Sequence, residues 1–272
     1  MKISAKQLGL LMLVSLALAT SVSVGFAGQG GFPPHYVWLI KENIEPGQMD
    51  AYMKCRVEGA KMDAKHRFPF PYVTSVENFT IHTAGIFRKF AEIDGFTERM
   101  IDYNKKTGGK YKELHEQAQK CVSHTSTFID AFRPDLSYSP EEPAFTPDFS
   151  KRSYSEVVVY TIKPDKLEQA VELAKKVKTL HEQKGASLAY RVYERICGDG
   201  LPALTVIMNA ENEVQLDNVR EKTVEKLGED FANLMKELFG VLERTETVEA
   251  TYIPEASYVP AKSRVAEGEK TD

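Results

Sequence analysis

The same order of features is written twice in this chain, about 118 residues apart, and a repeat of that length restricts the fold to two copies of one supersecondary unit. The first copy opens on the apolar run Tyr36-Val37-Trp38-Leu39-Ile40, followed by Glu45-Pro46-Gly47 and a helical stretch. The second opens on Val157-Val158-Val159-Tyr160-Thr161-Ile162, followed by Lys163-Pro164-Asp165 and a helical stretch. Their ends align as well. Phe132-Arg133-Pro134-Asp135-Leu136-Ser137-Tyr138-Ser139-Pro140 matches Tyr252-Ile253-Pro254-Glu255-Ala256-Ser257-Tyr258-Val259-Pro260 in its spacing of Pro, acid, Ser and Tyr.

Between these landmarks each copy reads strand, helix, strand, strand, helix, strand. In the second copy Leu167, Ala170, Val171, Ala174 and Val177 recur at helical spacing behind Pro164, and Val224, Leu227, Phe231, Leu234, Met235 and Leu238 form a second apolar stripe. In the first copy Met49, Tyr52, Met53, Val57 and Ala60 mark one helix, and Tyr111, Leu114, Ala118, Cys121 and Val122 another. Gly108-Gly109 interrupts a helical region that begins near Phe96. The expected strands are 72–79, 86–93 and 125–132 in the first copy, and 187–196, 203–209 and 245–253 in the second. Residues 189–195 alternate as a strand with two unlike faces does. The pattern is β-α-β-β-α-β, an α+β unit, written twice.

Such a unit lays both helices on one face of a four-stranded antiparallel sheet and leaves the other face bare. Two copies cover both bare faces by packing them against each other, within one chain or between chains. The opening strands are apolar on both sides, as strands buried on both faces are. The repeated unit resembles the dimeric α+β barrel superfamily, the ferredoxin-like group of small cofactor-free monooxygenases, NIPSNAP-type domains, stress-responsive barrel domains and chlorite-dismutase-like haem proteins. The resemblance spans residues 35–260 and rests on element order, duplication and the strand-Pro-helix start, so it speaks to fold. It implies a single-chain, pseudo-dimeric α+β barrel with a cavity between the sheets. The first ferredoxin-like repeat then covers 28–136, a Pro-, Glu- and Ser-rich linker 137–153, the second repeat 154–260, and a polar tail 261–272. The same topology runs the helix of Cys55 antiparallel to the helix that ends near Cys121. A Cys55–Cys121 disulfide is therefore expected, against the plainer reading of two small buried apolar residues. Cys197, beside Gly198-Asp199-Gly200, is left as an unpaired, partly buried thiol; to act as a nucleophile it would need His181 or Arg195 nearby, which the spacing does not supply.

Residues 1–27 read as an export signal, with Lys2 and Lys6 ahead of an apolar stretch from Leu8 to Val24 and a Gly25-Phe26-Ala27 cleavage site. The expected compartment is periplasmic or extracellular and oxidising, where one disulfide among three cysteines is the simplest arithmetic. No other long apolar run exists, so no membrane attachment is expected after cleavage. The chain holds 35 Lys and Arg against 39 Asp and Glu, a net charge of −4, and removing the two lysines of the signal deepens it. An acidic balance without a basic footprint argues against a nucleic-acid partner. Lys175, Lys176 and Lys178 stand among glutamates as a solvated helix face.

No CxxC, HxH, HxxxH or HExxH pattern is present, so no metal and no cofactor are expected. Haem, which the resemblance implies for some relatives, would fall to His124, whose counterpart in the second copy is Arg244. The cofactor-free relatives imply polar and aromatic side chains aimed into the cavity. By strand position the candidates are Trp38, Tyr72, His82, Arg88, Tyr190 and Tyr193. Each has a plainer reading: Trp38 as a core anchor, Tyr72 and Tyr190 as barrel plugs, His82 and Arg88 as rim residues. No acid-base pair, and so no catalytic residue, can be named from them. The expected function is binding of a small, mostly apolar ligand between the sheets, by a monomeric pseudo-dimer or a homo-oligomer. The alternatives are an oxygenase in the same cavity, cofactor-free or haem-dependent, and a filled barrel serving as a structural or interaction module.

Overall fold

A computed structural model describes residues 36–260. The expected export signal, 1–27, and polar tail, 261–272, lie outside the described residues. The elements run β1 (Tyr36–Ile44), α1 (Met49–His66), β2 (Tyr72–Glu77), β3 (Thr80–Phe87), the single turn α2 (Ala91–Asp94), α3 (Phe96–Lys106), α4 (Lys110–Gln119) and β4 (Val122–Phe132). They continue β5 (Tyr154–Ile162), α5 (Leu167–Lys184), β6 (Arg191–Cys197), β7 (Ala203–Ala210), α6 (Glu213–Val241) and β8 (Leu242–Tyr252). The strand expected at 86–93 lies earlier in the chain. Glu77 pairs with Thr80, so Asn78 and Phe79 form a two-residue hairpin turn, and Asn78 adopts the positive φ of 50° that such turns need.

The eight strands close a barrel in the order β1-β3-β2-β8-β5-β7-β6-β4. β1 lies between β3 and β4, with Lys41 opposite His82 and Ser126; β5 lies between β7 and β8, with Val159 opposite Thr205 and Glu246. Two antiparallel seams complete the ring. β2 meets β8 at Ser75↔Tyr252 and Val76↔Thr251, and β4 meets β6 from Ile129↔Cys197 to Phe132↔Tyr193. The sheets thus pair within one chain. The two stretches whose sequences match also cross over: Tyr138 exchanges backbone hydrogen bonds of 2.9 Å with Tyr190, and Tyr258 exchanges bonds of 2.8 and 2.9 Å with Tyr72.

The helices cover the outside of the barrel. α5 and α6 bury a large apolar core with β5, β6 and β7, including Val158, Tyr160, Leu173, Val206, Leu227, Phe231 and Met235; each such side chain contributes about 1.5–3 kcal/mol. Under α1 the interface is more polar. Tyr52 donates to Glu42, Arg56 Nη2 donates to Thr74 (3.2 Å) and Thr83 (2.8 Å), and Asp63 accepts from Tyr72 (2.6 Å) and Tyr103 (2.8 Å).

The cysteines correct one expectation. Among the described residues all three are free thiols. Cys55 and Cys121 do meet around the small core of Ile44, Tyr52, Ile81 and Ala118, but each sulfur lies against a glutamine oxygen. Cys55 Sγ is 3.9 Å from Gln117 Oε1, and Cys121 Sγ is 3.9 Å from Gln48 Oε1 and 3.7 Å from the Gln117 carbonyl. Glutamine contacts thus stand where the bond was expected. Cys197, expected partly buried, is exposed at the end of β6.

Candidate functional site: a chamber inside the barrel

Strand alternation decides which side chains enter the barrel. On β1 it sends Val37, Leu39, Lys41 and Asn43 inward and turns Trp38, Ile40 and Glu42 toward the helices. With the inward residues of the other seven strands these line a chamber of about 320 Å³. Its floor is apolar: Val37, Val73, Ala84, Tyr193, Ile207 and Tyr252 pack together, with Phe149 and Val259 against them. Its mouth is polar and lies where β1 and β5 finish and β4 and β8 begin. Lys41, Asn43, His124, Ser126, Arg244 and Glu246 line it. Lys41 Nζ pairs with Glu246 Oε1 at 3.4 Å, and Arg244 reaches the same carboxylate at 3.7 Å. These pairs are solvent-open and contribute at most about 1 kcal/mol each. His82, on the wall, holds its Nε2 3.4 Å from Glu77 Oε2.

A second group on the wall is buried. Asp130 on β4 and Arg195 on β6 face each other across a seam, with side chains only 5% and 7% exposed. Arg195 Nε donates to Asp130 Oδ1 at 3.1 Å, and Nη1 donates to the Asp199 carbonyl at 3.1 Å. The guanidinium carbon lies 4.0 Å from the centre of the Phe128 ring, a cation–π contact. Thr205 on β7 donates to the other carboxylate oxygen, Asp130 Oδ2, at 3.0 Å. Gly198 makes this possible. Its φ is 113°, and a Cβ there would stand 2.8 Å from the Thr127 carbonyl and the Phe128 ring, so the turn carrying Asp199 sits tight under β4 only with glycine.

Of the candidates named from sequence, His82 and Tyr193 line the chamber. The other four do not. Trp38 faces the helices, with its ring centre 5.0 Å from that of Phe96 and 6.4 Å from that of Phe87. Tyr72 is on the same outer face, bonded to Asp63, and burial pushes its hydroxyl pKa up. Tyr190 packs its ring against Tyr138 and His181 outside the barrel, and its hydroxyl has no partner among the described residues. Arg88 is exposed beyond the end of β3, its backbone N–H bonded to Glu92. The cause is strand parity: a one-residue change of phase moves a side chain to the opposite face. Lys41, Asp130, Thr205 and Glu246 were missed, while His124, Arg195 and Arg244 had been considered only in other roles. The available signal was a lone charge at inward phase within a strand apolar on both sides.

Two titratable groups sit outside the chamber, beneath the helices. Burial lifts the Asp63 carboxyl above the ordinary carboxylate range, against the opposing effect of its hydrogen bonds from Tyr72 and Tyr103. Burial pushes the His181 imidazole down to about 4.

The chamber is not built as a haem site around His124: that imidazole stands exposed at the rim with Nε2 3.0 Å from Ser126 Oγ, and the space of about 320 Å³ behind it is at the small end of ligand pockets. Among the described residues no group of three or more His, Cys, Asp and Glu gathers to hold a metal ion, and no helix is long and apolar enough to cross a membrane.

No protein-family model and no curated protein matches this sequence. Solved structures do. A candidate monooxygenase from Lactobacillus acidophilus matches over 82% of this chain and 96% of its own, at 10% identity and a TM-score of 0.51. An anthrone oxidase-like protein matches over 81% of this chain and 92% of its own, at 9% identity and a TM-score of 0.54. A candidate monooxygenase from Fusobacterium nucleatum matches over 80% and 91%, at 9% identity and a TM-score of 0.50. At such identities the likeness is one of fold: the chain shares the α+β barrel architecture of these structures.

Proposed function

We propose that this protein binds a small, mostly apolar organic molecule inside its barrel. One observation carries the reading: a chamber of about 320 Å³ with an apolar floor and a polar mouth, within the range of small-molecule pockets. A barrel serving only as a scaffold has no use for that space. In this reading the two β-α-β-β-α-β units act as fused repeats, 28–136 and 154–260, that share one ligand site, with 137–153 as the linker. Residues 1–27 direct the chain to the periplasm or the exterior.

Cofactor-free oxidation of the bound molecule is the second reading. It is favoured by His82 beside Glu77 on the chamber wall, an arrangement able to take a proton from a bound substrate. Two of the similar folds are described as a candidate monooxygenase and an anthrone oxidase-like protein.

The test is calorimetric titration with 2-naphthamide, a neutral bicyclic probe, on the natural chain and on Val159→Trp. Val159 lines the chamber on β5, so an indole there fills the space. One equivalent should bind the natural chain and at least tenfold more weakly to the variant, with the far-UV spectrum unchanged. Equal binding by both would put the probe outside the barrel and end the reading.

A further inference from the structure

We propose that Arg195 anchors a carboxylate on the molecule held in the barrel. The inference rests on the ligand-binding reading above and names its ligand class. An arginine carries five N–H donors in a rigid fork and accepts nothing. Here Nε is committed to Asp130 and one N–H of Nη1 to the Asp199 carbonyl, while Nη2 has no acceptor among the described residues. The residue lines the chamber and its side chain is 7% exposed. The unspent donors therefore belong to the chamber's contents.

The guanidinium is also held still. Asp130 fixes one edge, the Asp199 carbonyl a second, and the Phe128 ring a face, while Thr205 fixes Asp130 in turn. Holding the fork in place before a ligand arrives removes the ordering cost of binding. A buried ion pair alone is a weak source of stability, since an apolar pair of similar volume often does as well or better. Positioning accounts for its presence more economically than stability does.

The planar fork matches a carboxylate, which it can grip with two parallel bonds. Arg195 is the buried guanidinium of the lining, whereas Arg244 at the mouth is exposed, and at the repeat spacing the counterpart of Arg195 is Glu77, beside His82. A ligand is thereby oriented in one sense, its carboxylate at Arg195 and its apolar body toward Val37, Ala84 and Ile207. Lys41 and Arg244, each paired with Glu246, stand at the mouth where an anion would enter.

The test compares 2-naphthoate with 2-naphthamide, which share shape and differ in charge, by calorimetry at fixed ionic strength. The natural chain should bind the carboxylate at least tenfold more tightly. Arg195→Gln should erase that preference by weakening naphthoate alone, and Arg195→Lys, which keeps the charge and loses the fork, should retain only part of it. Should Arg195→Gln fail to fold, Asp130→Asn/Arg195→Gln removes both charges together and should show the same loss. In the natural chain the ¹⁵N resonances of the Arg195 guanidinium should shift with naphthoate and stay fixed with naphthamide. Equal affinity of the two probes for the natural chain overturns the anchor and leaves the ligand chamber standing. A preference that survives Arg195→Gln also overturns it, assigning the charge effect to Lys41 and Arg244. Binding of neither probe overturns the chamber and the anchor together.

Discussion

Removing one partner of the Arg195–Asp130 pair separates stability from ligand recognition. In Arg195→Met the Asp130 carboxylate, 5% exposed, keeps the Thr205 hydroxyl and loses its countercharge. Uncompensated buried charges of this kind cost about 3–5 kcal/mol. For a domain of this size that is a fall in Tm of roughly 6–20 °C, at about 2–4 °C per kcal/mol. Asp130→Leu strands the guanidinium in the same way. Asp130→Leu/Arg195→Met, by contrast, replaces the pair with apolar groups and should lie near the natural stability, or above it by about 1–4 kcal/mol. Urea denaturation of the four proteins closes a double-mutant cycle. The expected coupling exceeds about 3 kcal/mol, and the double variant should fold yet show no preference for naphthoate over naphthamide. Additive single effects, with coupling below about 0.5 kcal/mol, would show that the two side chains do not depend on each other and would refute the reasoning.

Two further predictions concern His181 and the three cysteines. His181 is buried among Tyr138, Tyr190 and Phe231, its Nδ1 donating to the Val177 carbonyl at 2.8 Å, and its pKa is pushed from 6.5 down to about 4. The unfolded chain then takes up a proton that the folded one refuses, so stability is full above pH 6.5 and falls by about 3 kcal/mol as pH drops from 6.5 to about 4; denaturation of His181→Leu across that range should lose this slope, and an unchanged slope would exclude the histidine as its source. Alkylation without reductant should label Cys197 first in the folded protein and all three thiols once it is denatured; a single label after denaturation would restore the Cys55–Cys121 bond.

Element order was legible because it is written in the sequence twice and the helical stripes are long. The start of β3 was not, because Asn78-Phe79 makes a two-residue turn without the glycine that usually marks one. The chamber was legible as a consequence of topology; its lining was not. β1 shows why. Tyr36 to Ile40 is apolar at both phases, so nothing local says that Val37 and Leu39 face the chamber while Trp38 faces α3. The large aromatics drew notice as candidates, and Trp38, Tyr72 and Tyr190 all proved to be needed under the helices. Arg195, whose role depends on Asp130 65 positions away, could not be placed before the β4–β6 seam was known.

The position of that pair bears on how the two halves of the barrel, β1–β4 and β5–β8, divide their work. The β5–β8 half owns the larger apolar core, packed by α5 and α6, whereas the β1–β4 half holds several smaller clusters with Glu42 and Asp63 buried and Arg56 half-buried among them. Neither contains the candidate site. Asp130 and Phe128 come from β4 of the first half, Arg195 and Thr205 from β6 and β7 of the second, and the mouth pair Lys41–Glu246 again joins one half to the other. The site therefore exists only when the barrel is closed. Because one chain supplies all eight strands, the facing walls differ, with the Arg195 guanidinium on β6 and the His82 imidazole on β3, which a symmetric pair of identical chains could not do. A chamber with unlike walls can hold an unsymmetrical molecule in one orientation, which is what selecting one end of a small ligand requires.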